Sequence, residues 1–299
     1  MIAGASPLRR WGRRAAAALL AGLLAACSPP AVTPNADPAM WLAEDGDTRI
    51  YLLGTMHALP EETDWDSGQV AQAIAESDEL VMELSPAELA AASEEFQRLA
   101  PREAPLAIDR RLPPAALAGY RALEASGPAF PADALDDWAV MVLMGQRVAR
   151  NAALSPENGV EAVLTQRFAD AGKPIAGLET ARSQLMLFET LDPETQRALL
   201  TRAAERAGDA VAEVHVLADA WSRGDVAALE REINEDVDAV PAARAAIITG
   251  RNRAWAAWIA KRMERPGTLL VAVGAGHLVG ADGVPALLEA QGVTVRRVQ

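Results

Sequence analysis

Two stretches of this sequence end alike. Ile50-Tyr51-Leu52-Leu53-Gly54-Thr55-Met56-His57 is an apolar run closed by glycine, with a histidine three residues on. Leu269-Leu270-Val271-Ala272-Val273-Gly274-Ala275-Gly276-His277 repeats the pattern near the other end. Each run reads as a buried strand stopping in a tight turn. Ligands of open α/β sheets sit beyond the carboxyl ends of the strands. Gly54 and Gly274 let the backbone turn there, so His57 and His277 can point back over the strand ends. Two imidazoles at one place can bind a transition metal or move protons. The third histidine, His215, falls inside a helical stretch and reads as a surface residue.

A catalytic metal needs about three protein ligands and an open position for water. Glu83, closing the apolar run Glu79-Leu80-Val81-Met82, is the first candidate for a third ligand or a general base. Glu179, closing Pro174 to Leu178, is the next. Glu161 follows Asn158-Gly159-Val160 at a helix start, where an acid also complements the helix dipole. Arg251-Asn252 could hold an anionic group, although an arginine on a helix usually faces water. Other chemistries lack their motifs. The chain has no Gly-x-Ser-x-Gly elbow, no His-Glu-x-x-His helix and no Walker loop. Gly274-x-Gly276-x-x-x-Gly280 misses the dinucleotide spacing.

The elements that must position these residues are legible in outline. Met40 to Ala43 and Arg49 to Leu53 read as a hairpin about Glu44-Asp45-Gly46-Asp47. A helix over Asp66 to Ala75 leads to the strand ending at Glu83, and a βαβ unit is the natural assembly. From Leu112 to about Arg265 the pattern is mostly helical, interrupted by the strand before Glu179. Helices are expected at 113–125, 136–149, 159–171, from Asp192 onward, at 209–221, 225–235 and 252–263. The strand Thr268 to Val273, the helix Val284 to Ala290 and the strand Val293 to Arg297 close the chain. The fold class is therefore α/β, with a central sheet drawn from both chain ends plus a middle strand, and a large helical insertion.

The chain has 299 residues, 51% hydrophobic, with a formal net charge of −13. Such an acidic chain is a poor nucleic-acid partner, because phosphate contacts need clustered Lys and Arg. Arg9, Arg10, Arg13 and Arg14 precede an apolar stretch, Ala15 to Ala26, too short to span a bilayer comfortably. Leu24-Ala25-Ala26-Cys27 resembles a bacterial lipobox, with Cys27 as the lipidated residue. The expected organisation is a signal peptide over 1–26, a tether over 27–38 and one domain over 39–299. The expected location is the cell envelope, facing the periplasm. Cys27 is the single cysteine, so no intramolecular disulfide can form.

Taken together, the motifs resemble the TraB/GumN family, which includes the Tiki proteases and the pheromone-shutdown proteins. The matching pieces are Tyr51 to His57, Val81-Met82-Glu83, Gly159-Val160-Glu161, Gly177-Leu178-Glu179-Thr180 with Gln184, Arg251-Asn252, and Gly274-Ala275-Gly276-His277-Leu278-Val279-Gly280. They keep the family's order across nearly all of the expected mature chain. The resemblance implies a fold akin to erythromycin esterase and a haem-binding lipoprotein group. It also implies a divalent-metal-dependent peptidase, with Mn²⁺, Co²⁺ or Zn²⁺ on His57, His277 and Glu83 and a peptide or protein substrate. Glu179 and Arg251 then serve catalysis, and Glu161 and Asn252 neighbour the site. Two other expectations stand beside this one. The same cleft could bind a peptide or haem-like ligand without turnover, or a His–Glu pair could activate water without metal.

Overall fold

The structure, a computed structural model, describes residues 35–61 and 63–299, the side chains of 234–237 excepted. Six strands form one sheet in the order β4-β3-β5-β2-β1-β6. They are β1 (Met40–Glu44), β2 (Thr48–Thr55), β3 (Glu79–Leu84), β4 (Ile175–Glu179), β5 (Gly267–Gly274) and β6 (Val295–Arg297). β2, β5, β3 and β4 are parallel, while β1 and β6 add an antiparallel edge. The hairpin joining β1 to β2 turns where Asp45 accepts the Asp47 and Thr48 amides.

The expected βαβ unit is opened by one strand. β2 and β3, joined through α1 (Gly68–Glu76), are not neighbours, because β5 lies between them and pairs with both. A strand contributed by the C-terminal end is thus the centre of the sheet. Its apolar run is buried on both faces, as parallel strands under two helical layers require. Alternate side chains divide between the layers. Tyr51, Leu53, Leu80, Met82 and Leu270 meet α1, α5 (Val160–Asp170) and Trp221. Ile50, Leu52, Val81, Leu269 and Val271 meet Trp255, Ala256 and Ile259 and the C-terminal helix Val284–Ala290.

The insertion between β3 and β5 has its own core. α2 (Pro86–Leu99), α3 (Pro114–Glu124) and α4 (Asp137–Asn151) precede α5. After β4 come α6 (Ala181–Glu189), α7 (Pro193–Arg206), α8 (Ala210–Ser222), α9 (Val226–Asp238) and α10 (Pro241–Arg244). A π turn, Ala245–Thr249, joins α10 to α11 (Gly250–Arg262). α12 is Val284–Ala290. Tyr120, Met144 and Leu200 pack α3, α4 and α7 together. Buried Asp137 accepts Arg111 Nε at 2.7 Å and Arg197 Nε at 2.5 Å, which supplies the partners a buried carboxylate needs.

Sequence reading passed over α2 and α6. α2 buries no residue fully, so its apolar stripe is faint. Its start was nonetheless written in Ser85-Pro86-Ala87-Glu88, where Ser85 caps the Glu88 amide. Thr180 and Ser183 cap α6 reciprocally. The expected leader and Cys27 lie outside the described residues. Asn35 to Asp37, assigned to the tether, are docked on the body: the Ala36 amide donates to Asp64 O at 2.7 Å and the Asp37 amide to Ser222 O at 2.6 Å. Among the described residues no helix is long and apolar enough to cross a membrane.

α3 and α7 cross closely at Gly119, where an added Cβ would stand 2.0 Å from the Ala204 carbonyl oxygen. Backbone must therefore move to admit a methyl group, and overpacking of this kind costs about 1–3 kcal/mol. Gly119→Ala is expected to lower the urea midpoint by that order, despite alanine's better helix propensity. An unchanged or higher midpoint would contradict the crossing.

Candidate functional site

Parallel pairing puts the strand ends at one edge. Thr55 of β2 pairs with Gly274 of β5, and Leu84 of β3 with Glu179 of β4. His57, Glu83, Glu179 and His277 therefore gather beyond one end of the sheet. The two glycines work differently from the sequence expectation. Neither has positive φ. They are needed for close approach: a Cβ on Gly54 would lie 3.2 Å from Ala275 Cα. A Cβ on Gly274 would lie 3.3 Å from Glu83 Oε1, 3.6 Å from His277 Cδ2 and 3.9 Å from His57 Nε2. Both histidines and Glu83 thus surround the bare face of Gly274.

His57 is set by α5. A Cβ on Gly159 would be 2.2 Å from the His57 carbonyl oxygen, so the helix start presses directly on the loop. The Val160 amide donates to Met56 O at 3.1 Å. Glu161 then reaches His57 Nδ1 at 2.7 Å and accepts Thr55 Oγ1 at 2.5 Å, both on Oε1. Its Oε2 is buried without a partner. The His57 ring is 72% exposed, lying open to solvent beside the cluster. Glu161 pushes the His57 pKa up to about 9, by charge first and hydrogen bonding second, against desolvation. Burial would raise the Glu161 carboxyl, yet His57 and Thr55 hold it below its ordinary value.

Arg251 closes the other half. Its Nε and Nη2 form a fork on Glu179 at 2.9 and 2.8 Å. Nη2 also donates to Glu83 Oε2 at 2.6 Å, and Nη1 lies 3.1 Å from His277 Nε2. Arg251, expected to hold an anionic group, is 8% exposed and lies over the Trp255 ring. Glu83 also accepts the Gly274 amide at 2.9 Å and Gln184 Nε2 at 2.8 Å. Burial alone would raise the Glu83 carboxyl. Arg251, the neighbouring histidines when protonated and the Gly274 amide outweigh it and hold the pKa at about 2.

A guanidinium only donates, so His277 Nε2 accepts and its proton sits on Nδ1. Nδ1–H then donates to Asn252 Oδ1 at 2.6 Å, while Asn252 Nδ2 donates to Asp282 O at 2.8 Å. Burial is the main reason the His277 pKa falls to about 4, so the ring is neutral at physiological pH. Asp282 also accepts Arg244 Nη2 and Thr249 Oγ1, each at 2.8 Å, clasping the π turn that leads into Arg251. His215 stands apart, with Nε2 at 3.0 Å from Ala152 O, a structural contact between helices.

The structure brings together His57, Glu83, Glu161, Glu179, Arg251, Asn252 and His277. Sequence reading missed Thr55, Trp255 and Asp282. Trp255 lies four residues after Arg251 on one helix face, a spacing that could have flagged it. Asp282 sits in an unremarked turn, Gly280-Ala281-Asp282-Gly283, and carries no such signal.

The expected metal set does not fit this arrangement. Arg251 occupies His277 Nε2, one oxygen of Glu83 and both of Glu179, so a dication on His277 and Glu83 would meet a guanidinium at contact range. Among the described residues no group of three or more His, Cys, Asp or Glu is disposed to hold a metal ion. What the cluster does offer is two histidines with widely separated pKa values beside an ionised carboxylate and a buried cation. Residues 39–297 match the TraB/PrgY/gumN family model, and the chain belongs to that family. No curated protein and no solved structure matches it.

Replacing Arg251 leaves the buried Glu83 carboxylate and the part-buried Glu179 carboxylate without their shared cation. Removing one member of a buried ion pair costs about 3–5 kcal/mol. Arg251→Met is expected to lose that much in urea unfolding at pH 7 and to raise the Glu83 pKa well above 2, read by carboxyl NMR. Little stability loss with Glu83 unmoved would show that the pairing is absent.

The pH dependence has two sides. Stabilisation from His57 is full below pH 6.5 and fades as pH rises through about 9. Stabilisation from Glu83 is full above pH 4.5 and fades as pH falls toward 2. His277 adds to the acid loss between pH 6.5 and 4, because the unfolded chain takes a proton that the folded site refuses. His277→Gln is expected to flatten stability over that acid interval, in urea titrations at several pH values. An unaltered acid slope would contradict a neutral His277.

Proposed function

We propose that this TraB-family chain is a hydrolase that activates water by acid–base chemistry between Glu83 and His57. The observation that carries the reading is the splitting of the titratable groups: His57 high, His277 and Glu83 low, all around Gly274. Groups whose environments push their pKa values apart mark acid and base assignments. The bond attacked is a carboxylic ester or amide, peptide bonds included, as the family resemblance suggests. Anchoring in the envelope through Cys27 belongs to the same proposal and rests on Leu24-Ala25-Ala26-Cys27.

Arg251 receives the substrate carbonyl oxygen. In doing so it shares its donors between substrate and Glu83, and the carboxylate becomes more basic. Glu83 takes a proton from water as the water oxygen bonds to the carbonyl carbon. Arg251 holds the negative charge that gathers on the former carbonyl oxygen. His57 gives its Nε2 proton to the leaving oxygen or nitrogen as the bond to carbon breaks. Glu161 holds the other ring proton throughout. Return of the proton from Glu83 to His57 restores the site.

The rate on a scissile ester or amide should be level near neutrality and fall as pH rises through about 9. Glu161→Gln is expected to move that alkaline limb to lower pH, and Glu83→Gln to reduce kcat by about 10²-fold or more. Activity should survive exhaustive chelation. Activity abolished by chelator and restored by Mn²⁺, Co²⁺ or Zn²⁺ would replace this mechanism with a metallopeptidase one.

A further inference from the structure

A separate cavity of about 450 Å³ lies inside the helical insertion. Its wall includes Met144, Val148, Val214, Leu217, Ile233 and Ile247, and among the described residues none on the lining is aromatic. Among the described residues, the charged ones on the lining, Arg202, Arg206, Glu213 and Glu232, are all partly exposed. Arg206 and Glu213 pair with each other at 2.7 Å.

Two residues of the cavity lining also touch the elements that carry the candidate site. The Ile247 carbonyl lies 3.4 Å from Arg251 Nη1. Ile233 presses on the loop that carries His277, where a Cβ on Gly276 would meet Ile233 Cγ2 at 3.0 Å. Gly145 borders the same cavity from within α4, and a Cβ there would meet nothing within 4 Å. A glycine inside a helix costs about 1 kcal/mol relative to alanine. At this position its effect is to leave the wall open.

We infer that this cavity receives the acyl chain of the substrate, so that the hydrolase acts on O-acyl or N-acyl amphiphiles with a fatty chain. The inference rests on the hydrolase reading above. Three features select an alkyl chain as the occupant. Among the described residues the lining's apolar stretch offers no side-chain hydrogen bond, and a peptide backbone entering it would leave amides unsatisfied. The volume corresponds to roughly fifteen waters, far more than one aliphatic side chain displaces. Methionines in the wall adapt to chains of differing shape. With the chain in the cavity, the acyl carbonyl faces Arg251. Water adds to that carbonyl carbon, the bond to the alcohol or amine breaks, and His57 protonates the departing group. The products are a fatty acid and the free alcohol or amine.

The test uses the full chain, a dodecanoic acid bearing a diazirine, and p-nitrophenyl esters from acetate to dodecanoate. Photolabel displaced by excess dodecanoate should map to α4 around Met144–Val148 and to Val214–Leu217. It should persist in Glu83→Gln and be lost in Gly145→Trp. The ester KM should fall at least tenfold from acetate to octanoate in the unmodified chain and stay level in Gly145→Trp. Val214→Trp obstructs the opposite wall and serves if Gly145→Trp does not fold by circular dichroism. Labelling at these peptides without hydrolysis of any ester sustains the acyl site and overturns the hydrolase reading. Hydrolysis with no chain-length preference, or labelling that ignores both tryptophans, overturns the acyl site and leaves the hydrolase reading standing.

Discussion

The guanidinium of Arg251 is the constraint on which the site depends. It is buried, and it touches Glu83, Glu179 and His277 at once. Each contact fixes something else. Glu83 stays ionised inside the protein because the cation is there, and both Glu179 oxygens are held by it. His277 is forced into one tautomer, which in turn fixes Asn252 and its bond to the Asp282 loop. Burial would weaken the Arg251 charge, yet its bonds to Glu179 and Glu83 raise its pKa. A buried salt bridge is poor evidence for net stability. Here it reads more readily as an arrangement that holds charged groups ready beside an exposed imidazole.

Topology makes that arrangement possible. Since β5 separates β2 from β3, the chain's two Gly-x-x-His turns end on adjacent strands, with Glu83 on the other flank of β5. The site is therefore completed only when the C-terminal strand enters the middle of the sheet. The helices inserted between β3 and β5 supply Gln184, Arg251 and Asn252, and also Glu161 on α5. Close glycines rather than unusual turns bring these layers together, at Gly54, Gly159 and Gly274.

Much of this was legible beforehand. Strands with continuous apolar runs and polar ends, such as β2, β3 and β5, announce both their burial and the edge where chemistry sits. The α/β class and most helices followed from the same periodicity, and the ordered motifs pointed to the family. Less was visible where partners decide the outcome. Arg251 was a candidate for holding an anionic group, yet local sequence says nothing of the two glutamates that receive it. A metal seemed natural on two histidines and a glutamate, until the cation already bonded to two of them was located. Asp282 and Thr55 act through hydrogen bonds to residues far along the chain, which no local pattern records. The faint stripe of α2 hid a helix whose cap was plain.

The central claim is that Glu161 on one side, and burial beside Arg251 on the other, divide the two histidines into opposite charge states. Nitrogen NMR of the imidazoles at pH 7 tests this most directly, with and without added Zn²⁺. The account expects His57 doubly protonated, His277 neutral with its proton on Nδ1, and neither altered by the metal. Two neutral rings, or ring signals that move together on stoichiometric Zn²⁺ binding, would contradict it.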